Sequence, residues 1–161
     1  MKRMIAEKTR TWKDNWNNVV RDVLFTDEKL RQLMLIPEDC TITRFRDKYF
    51  VEGEGTNEIM TDEDVRILCY DSQGGETGNK NVFLRYKEFD IYVKRDVLFN
   101  ATDDRLQRRY DLIADRIKYL LCRTQTVCGI RFRVADPGYN LFTKLAGYDR
   151  FHVSFSYKTT V

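Results

Sequence analysis

Between Val82 and Cys122 the spacing of apolar residues changes from every second position to every third or fourth, and few folds accommodate that change within 161 residues. Phe89, Ile91 and Val93 alternate with Glu88, Asp90, Tyr92 and Lys94, which predicts a strand that is apolar on one face only. Asn100-Ala101-Thr102-Asp103-Asp104 then offers capping side chains and two acids where a helix leaves unpaired amides and the positive end of its dipole, so a helix is expected over 103–122. Leu106, Tyr110, Ile113, Ile117, Leu120 and Leu121 form its apolar stripe, and Asp104, Arg105, Arg108, Asp111, Asp115 and Lys118 fill the solvated side.

Two later segments complete the layer. Ile130, Phe132 and Val134 alternate with Arg131 and Arg133, and Phe151, Val153, Phe155 and Tyr157 alternate with His152, Ser154, Ser156 and Lys158. Sharing one sheet, these strands give an apolar floor for the helical stripe. The expected fold is α+β: an antiparallel or mixed sheet of about four strands, helices on one face, and a long hairpin loop. The other floor is expected to lie bare and polar, with Glu88, Asp90, Tyr92, Lys94, Arg131, Arg133, His152 and Lys158 pairing across strands.

The length fits one domain, 1–161, with an N-terminal helical segment over 1–38 and the sheet and main helix over 39–161. Trp12, Trp16, Val19, Val20, Val23 and Leu24 recur at helical spacing, and Thr26-Asp27-Glu28 starts a second short helix carrying Leu30, Leu33 and Met34 before Pro37. That segment is expected either to cover the sheet or to dock on a neighbouring subunit. Cys40 to Val51 is read as an imperfect strand and Val65 to Tyr70 as another. Residues 71–81 form a flexible connection back to the strand from Val82, and a bulge near Lys87-Glu88 is expected where the even row Val82, Leu84, Tyr86 gives way to the odd row. Asp136-Pro137-Gly138 signals a turn.

Four cysteines at Cys40, Cys69, Cys122 and Cys128 match no zinc spacing or compact disulfide framework, and no apolar run approaches the roughly 20 residues of a membrane span. Residues 51–80 carry eight acids against two bases, and residues 81–161 fifteen bases against nine acids. Such asymmetry orients a protein against copies of itself or a partner. The glycine loop from Gly74 to Lys80 departs from the P-loop order, since three residues separate Gly74 from Gly78 and Asn79 precedes Lys80. The single histidine, His152, is expected to be a surface imidazole. Glu88, Asp90 and Lys94 on one strand face give a metal-dependent nuclease reading, although Tyr92 stands where acid, one residue, lysine is the usual order. An RNA-binding sheet would show more exposed aromatics than Tyr92 with Arg131 and Arg133. No catalytic constellation stands out, so an assembly role is the expectation.

The order helix, long-looped hairpin, helix, two closing strands resembles the tail terminator, or tail completion, proteins of long-tailed bacteriophages. The residues that carry the likeness are Phe89-Asp-Ile-Tyr-Val, Asp104-Arg-Leu-Gln-Arg-Arg-Tyr-Asp-Leu-Ile-Ala-Asp-Arg-Ile-Lys-Tyr-Leu-Leu, Val127-Cys-Gly-Ile-Arg-Phe and Gly147-Tyr-Asp-Arg-Phe-His-Val-Ser-Phe, within residues 65 to 161. The resemblance implies a virion structural protein of the neck, acting without cofactors and outside any membrane. It would form a homo-oligomeric ring, typically a hexamer, that caps the tail tube, meets the tube protein and the head-completion or connector protein, and lets DNA pass through its lumen without sequence-specific binding. Host cytoplasm during assembly and the virion afterwards are the implied locations. Glu52, Glu54, Asp62, Glu63, Asp64, Gln73, Glu76, Lys80, Leu141 and Phe142 are the candidate assembly or lumen contacts, with the acidic stretch Glu52 to Asp64 or the polar sheet row lining the channel. The alternatives are another neck component, such as a head-completion or adaptor ring, and the nuclease.

Overall fold

A computed structural model describes residues 12–53, 62–102 and 105–160. The elements are α1 (Trp12–Val19) continued by a π turn (Val20–Leu24), α2 (Glu28–Leu33), α3 (Ile42–Arg44) continued by a π turn (Phe45–Tyr49), β1 (Phe50–Glu52), β2 (Val65–Glu76), β3 (Val82–Lys94), β4 (Phe99–Thr102), β5 (Arg105–Arg108), α4 (Arg109–Cys122), β6 (Arg133–Leu141) and β7 (Tyr148–Thr160). The architecture is α+β. A mixed five-stranded sheet runs in the order β1-β2-β3-β7-β6, with β1 parallel to β2 and the other pairs antiparallel; β4 and β5 form a separate two-stranded hairpin. No helix among the described residues is long and apolar enough to cross a membrane.

One face of the sheet carries the main core. Phe89, Ile91 and Val93 of β3 and Phe151, Val153 and Phe155 of β7 meet Ile113, Ile117 and Leu121 of α4 in one buried cluster. Trp16 from α1 lies against Phe50, Phe89 and Phe132, so the N-terminal segment covers the sheet. Asp27 caps α2, its carboxylate accepting from Leu30 N at 2.8 Å, as the Thr26-Asp27-Glu28 signal predicts. The same carboxylate receives two bonds from Arg116 of α4, at 2.9 and 2.7 Å, which ties the helices together.

The expected strand over Cys40–Val51 is mostly helical. Thr41 accepts from Arg44 N at 3.2 Å, and Phe45 and Tyr49, four apart, turn into the core. Only Phe50–Glu52 is extended, and it supplies the fifth strand. The main helix starts at Arg109 rather than 103. Phe99–Thr102 pairs with Arg105–Arg108, so the backbone there bonds across a hairpin instead of along a helix, and Leu106 falls in β5. Residues 103 and 104 lie outside the described residues. The connection over 71–81 is also shorter than expected, because β2 runs on to Glu76 and β3 resumes at Val82.

No bulge interrupts β3 at Lys87-Glu88. It pairs with β7 without a break from Val82 to Lys94. The odd row simply continues through Arg85 and Lys87, and indoles from α1 roof both cations. The Lys87 ammonium lies 4.2 Å from the Trp16 ring centroid and 2.8 Å from Asp71 Oδ1, while the Arg85 guanidinium lies 5.1 Å from the Trp12 ring. The register shift sits on β2 between Gln73 and Glu76, where a Cβ on Gly74 would stand 2.0 Å from the Leu84 carbonyl oxygen. Asp136-Pro137-Gly138 is likewise an irregularity inside β6 rather than a turn ending it. The proline lies on an edge strand, where its missing N–H costs no ladder bond, and Gly138 at φ +131 donates to Asp136 Oδ1 at 3.0 Å.

Because Trp16 contacts three core rings and covers Lys87, Trp16→Ala is expected to lower stability by about 3–5 kcal/mol, read as a shift of the urea midpoint.

Candidate functional site

The second face of the sheet is not bare. At one end of it the segment joining β6 to β7 folds back, and Leu145, with Tyr148 of β7, buries against Leu68 and Tyr92. Beneath that cover lies an ionic cluster set by the pairing of Asp90 with His152 and of Tyr92 with Arg150. Asp90 is 0% exposed and His152 only 6%, so the imidazole expected at the surface is buried. His152 Nδ1 lies 2.6 Å from Asp90 Oδ1 and its Nε2 2.8 Å from Glu88 Oε2. Arg150 Nη2 donates to Asp90 Oδ2 at 2.5 Å, and Ser72 Oγ donates to Glu88 Oε1 at 2.7 Å. The Tyr139 ring closes over the imidazole at 5.1 Å.

Burial by itself would lower the His152 pKa. The hydrogen bonds to Asp90 and Glu88, and the charge of both, outweigh it and raise the value from 6.5 to about 9. The ring is an imidazolium at neutral pH, with a carboxylate at each nitrogen and no lone pair to accept a proton. Two carboxylates facing an imidazolium and a guanidinium balance in charge. Lys94 turns away from this group, donating to the Asp62 carbonyl at 2.9 Å and lying 3.7 Å from Asp64 Oδ1. Glu88, Asp90 and Lys94 therefore do not converge on one point. No set of three His, Cys, Asp or Glu among the described residues is arranged to hold a metal ion.

What the cluster does is position the corner beside it. Arg150 also donates to the Phe142 carbonyl at 3.3 Å, so the guanidinium clamps the end of β6 to Asp90. Leu141 is half-buried there and Phe142 is 82% exposed. Between this corner and the β4–β5 hairpin runs a cleft of about 380 Å³, lined by Phe99, Leu141 and Phe142 and by Arg95, Arg108 and Arg150. Phe99, Arg95 and Arg108 are absent from the candidate contacts read from the sequence, where Arg108 stood only on the solvated side of the expected helix. The surplus of bases after residue 81 is the signal that pointed toward them.

The other predicted residues scatter. Glu52 ends β1 and accepts from the Trp16 indole N–H. Asp62, Glu63 and Asp64 lead into β2, held by Lys94 and by Tyr148, whose hydroxyl donates to the Glu63 carbonyl at 2.6 Å. Glu54 lies outside the described residues. Gln73 and Glu76 sit on the far half of β2 and Lys80 in the turn beyond it. At about 3.3 Å per residue along β3, that turn is roughly 40 Å from Asp64. The polar row expected to line a channel is buried near Asp90, whereas Arg131, Arg133 and Lys158 stay exposed. No protein-family model matches the chain, and no curated protein matches it.

The proton on His152 stabilises the fold, since its folded pKa lies above the unfolded one. That contribution is complete below about pH 6.5 and is lost as the pH rises toward about 9. The urea midpoint is expected to decline across that window, and His152→Gln to flatten the decline. As the chain has one histidine, its imidazole NMR titration reads the pKa directly.

Proposed function

We propose that this chain is a virion structural protein of the phage neck or tail, whose copies form a ring that terminates the tail tube and joins it to the head connector. The observation that carries this reading is the flank formed by β6. It is an outer strand of the sheet with no partner along its far edge among the described residues, and it leaves Val134 42%, Tyr139 44% and the adjoining Phe142 82% exposed. A sheet edge with large apolar side chains is a surface that a protein working alone tends to cover, and it offers backbone groups and apolar area to a neighbour.

The element order that resembles the tail terminators supports the same reading, as does a histidine held as a salt-bridged cation rather than a base. In the ring, typically a hexamer, the protein needs no cofactor and touches the tube protein on one side and the head-completion or connector protein on the other. DNA passes through the lumen without sequence readout. Of the acids in the run from Glu52 to Asp64, Glu52, Glu54 and Glu58 have the sign of charge that keeps phosphates from adhering to a wall. Assembly takes place in host cytoplasm and the product resides in the virion.

Sedimentation and negative-stain imaging of the purified protein, with and without tail tubes, test this. A closed ring, or a monomer that becomes a ring on tube ends, is the expected result; a monomer that cuts DNA with magnesium overturns it. Val134→Ser combined with Phe142→Ser is expected to prevent ring formation. Because Phe142 is 82% exposed and Val134 42%, the same variant should change monomer stability by only about 1 kcal/mol, read from the urea midpoint.

A further inference from the structure

Two unlike patches lie at one end of the sheet. On the β6 flank is the cleft, where Phe99 and Phe142 stand exposed beside Arg95, Arg108 and Arg150. Among the described residues that line it, the one acid, Asp149, lies 3.2 Å from Arg95, and Arg150 is held by Asp90, so these residues keep a surplus of positive charge around apolar walls. Toward the β1 flank is the corner Asp62-Glu63-Asp64, with Asp62 and Asp64 exposed. It closes a run from Glu52 that holds six acids and no base.

The register places both patches at the same end. Val65 of β2 faces Val93 of β3, Lys94 faces Tyr148 of β7, and Leu141 of β6 faces Arg150 of β7. Three strand spacings, about 14 Å, separate the β2 corner from β6. The corner cannot swing into its own cleft. Lys94 Nζ holds the Asp62 carbonyl at 2.9 Å, the Tyr148 hydroxyl holds the Glu63 carbonyl at 2.6 Å, and Lys94 N holds the Asp64 carbonyl at 2.8 Å. Three successive carbonyls are pinned to β3 and to the start of β7, with Asp62 exposed and the exposed Asp64 carboxylate 3.7 Å from Lys94 Nζ.

We propose that the Arg95–Arg108 cleft receives the Asp62–Asp64 corner of a second copy of this chain. Opposite charge selects the pairing, and Phe99 and Phe142 supply the apolar area that exposed ion pairs alone do not. Each copy offers its cleft to one neighbour and its corner to the next, a heterologous contact that propagates; an assembly that stops at a dimer, with each corner seated in the other's cleft, overturns the propagation. This deepens the ring reading and rests on it for closure, though the pairing itself does not.

The test is a charge swap read by sedimentation over a range of protein concentrations, with tail tube ends present if the free protein sediments as a monomer. Arg108→Glu and Asp62→Arg, each alone, are expected to raise the concentration for half-assembly at least about tenfold, and the two together to return it to within about threefold of the parent. Arg108→Lys should assemble nearly as the parent does. Raising salt from about 0.05 to about 0.5 M should weaken the parent and the swapped pair alike. Both positions are exposed, and far-UV circular dichroism checks that each variant folds. Single variants that assemble like the parent, or a double variant that fails to recover, overturn the pairing and leave the ring standing. Recovery of assembly in the double variant, with images showing open chains rather than closed rings, supports the pairing and overturns the ring. A protein that stays monomeric in solution and on tube ends overturns both.

Discussion

The β3–β7 ladder is the constraint on which the molecule depends. Every residue of β3 from Val82 to Lys94 has a partner on β7. That register places Phe89 beside Val153 and Ile91 beside Phe151 on the helix side, and Asp90 beside His152 and Tyr92 beside Arg150 on the other. A slip by one residue would turn Asp90 into the aromatic core and Phe89 out of it, so the hydrophobic and ionic layers specify the same alignment independently. The core on one face and the cluster on the other are consequences of one set of backbone bonds.

The ionic cluster is costly to bury, and its geometry shows how the cost is offset. Asp90 has no contact with solvent, yet its two oxygens meet an imidazolium and a guanidinium at 2.6 and 2.5 Å. Such groups are weak evidence for stability and better evidence for fixing one arrangement among several. Here the fixed arrangement is that of the β6–β7 corner. Arg150 reaches from Asp90 to the Phe142 carbonyl, and Tyr148 and Lys94 pin the acidic residues that lead into β2. An exposed phenylalanine on a loop makes a poor contact unless the loop is held. Buried charge holds this one.

Much of the fold was legible because it is written locally. The alternation at Phe89–Val93 and Phe151–Tyr157, the stripe from Tyr110 to Leu121 and the Asp27 cap all appear where periodicity and capping chemistry put them. Local rules failed where a distant group changed the meaning of a residue. Arg85 and Lys87 look like solvent positions and suggested a bulge, until tryptophans some seventy residues earlier in the chain cover them. Phe45, Tyr49 and Phe50 permit both a strand and a helix, and the Thr41 cap together with pairing of Phe50 to Ile67 decided between them. Of the candidate contacts, Leu141, Phe142 and the acids at 62–64 fall at one end of the sheet. Gln73, Glu76 and Lys80 fall at the other, a separation that follows from the length of the hairpin and not from any nearby motif.

By itself the sequence determined that the strands through Phe89–Val93 and Phe151–Tyr157 and the helix through Tyr110–Leu121 form and which of their sides seek burial, since both follow from side-chain spacing within a few residues. The tertiary structure alone decided that the polar row would be half-buried, that the one histidine would be a buried cation, and that three arginines would meet two exposed phenylalanines in a cleft. Those outcomes depend on which strand lies next to which and on charges brought together from residues sixty or more apart along the chain. Pairing energy of that kind exists only once the strands have met.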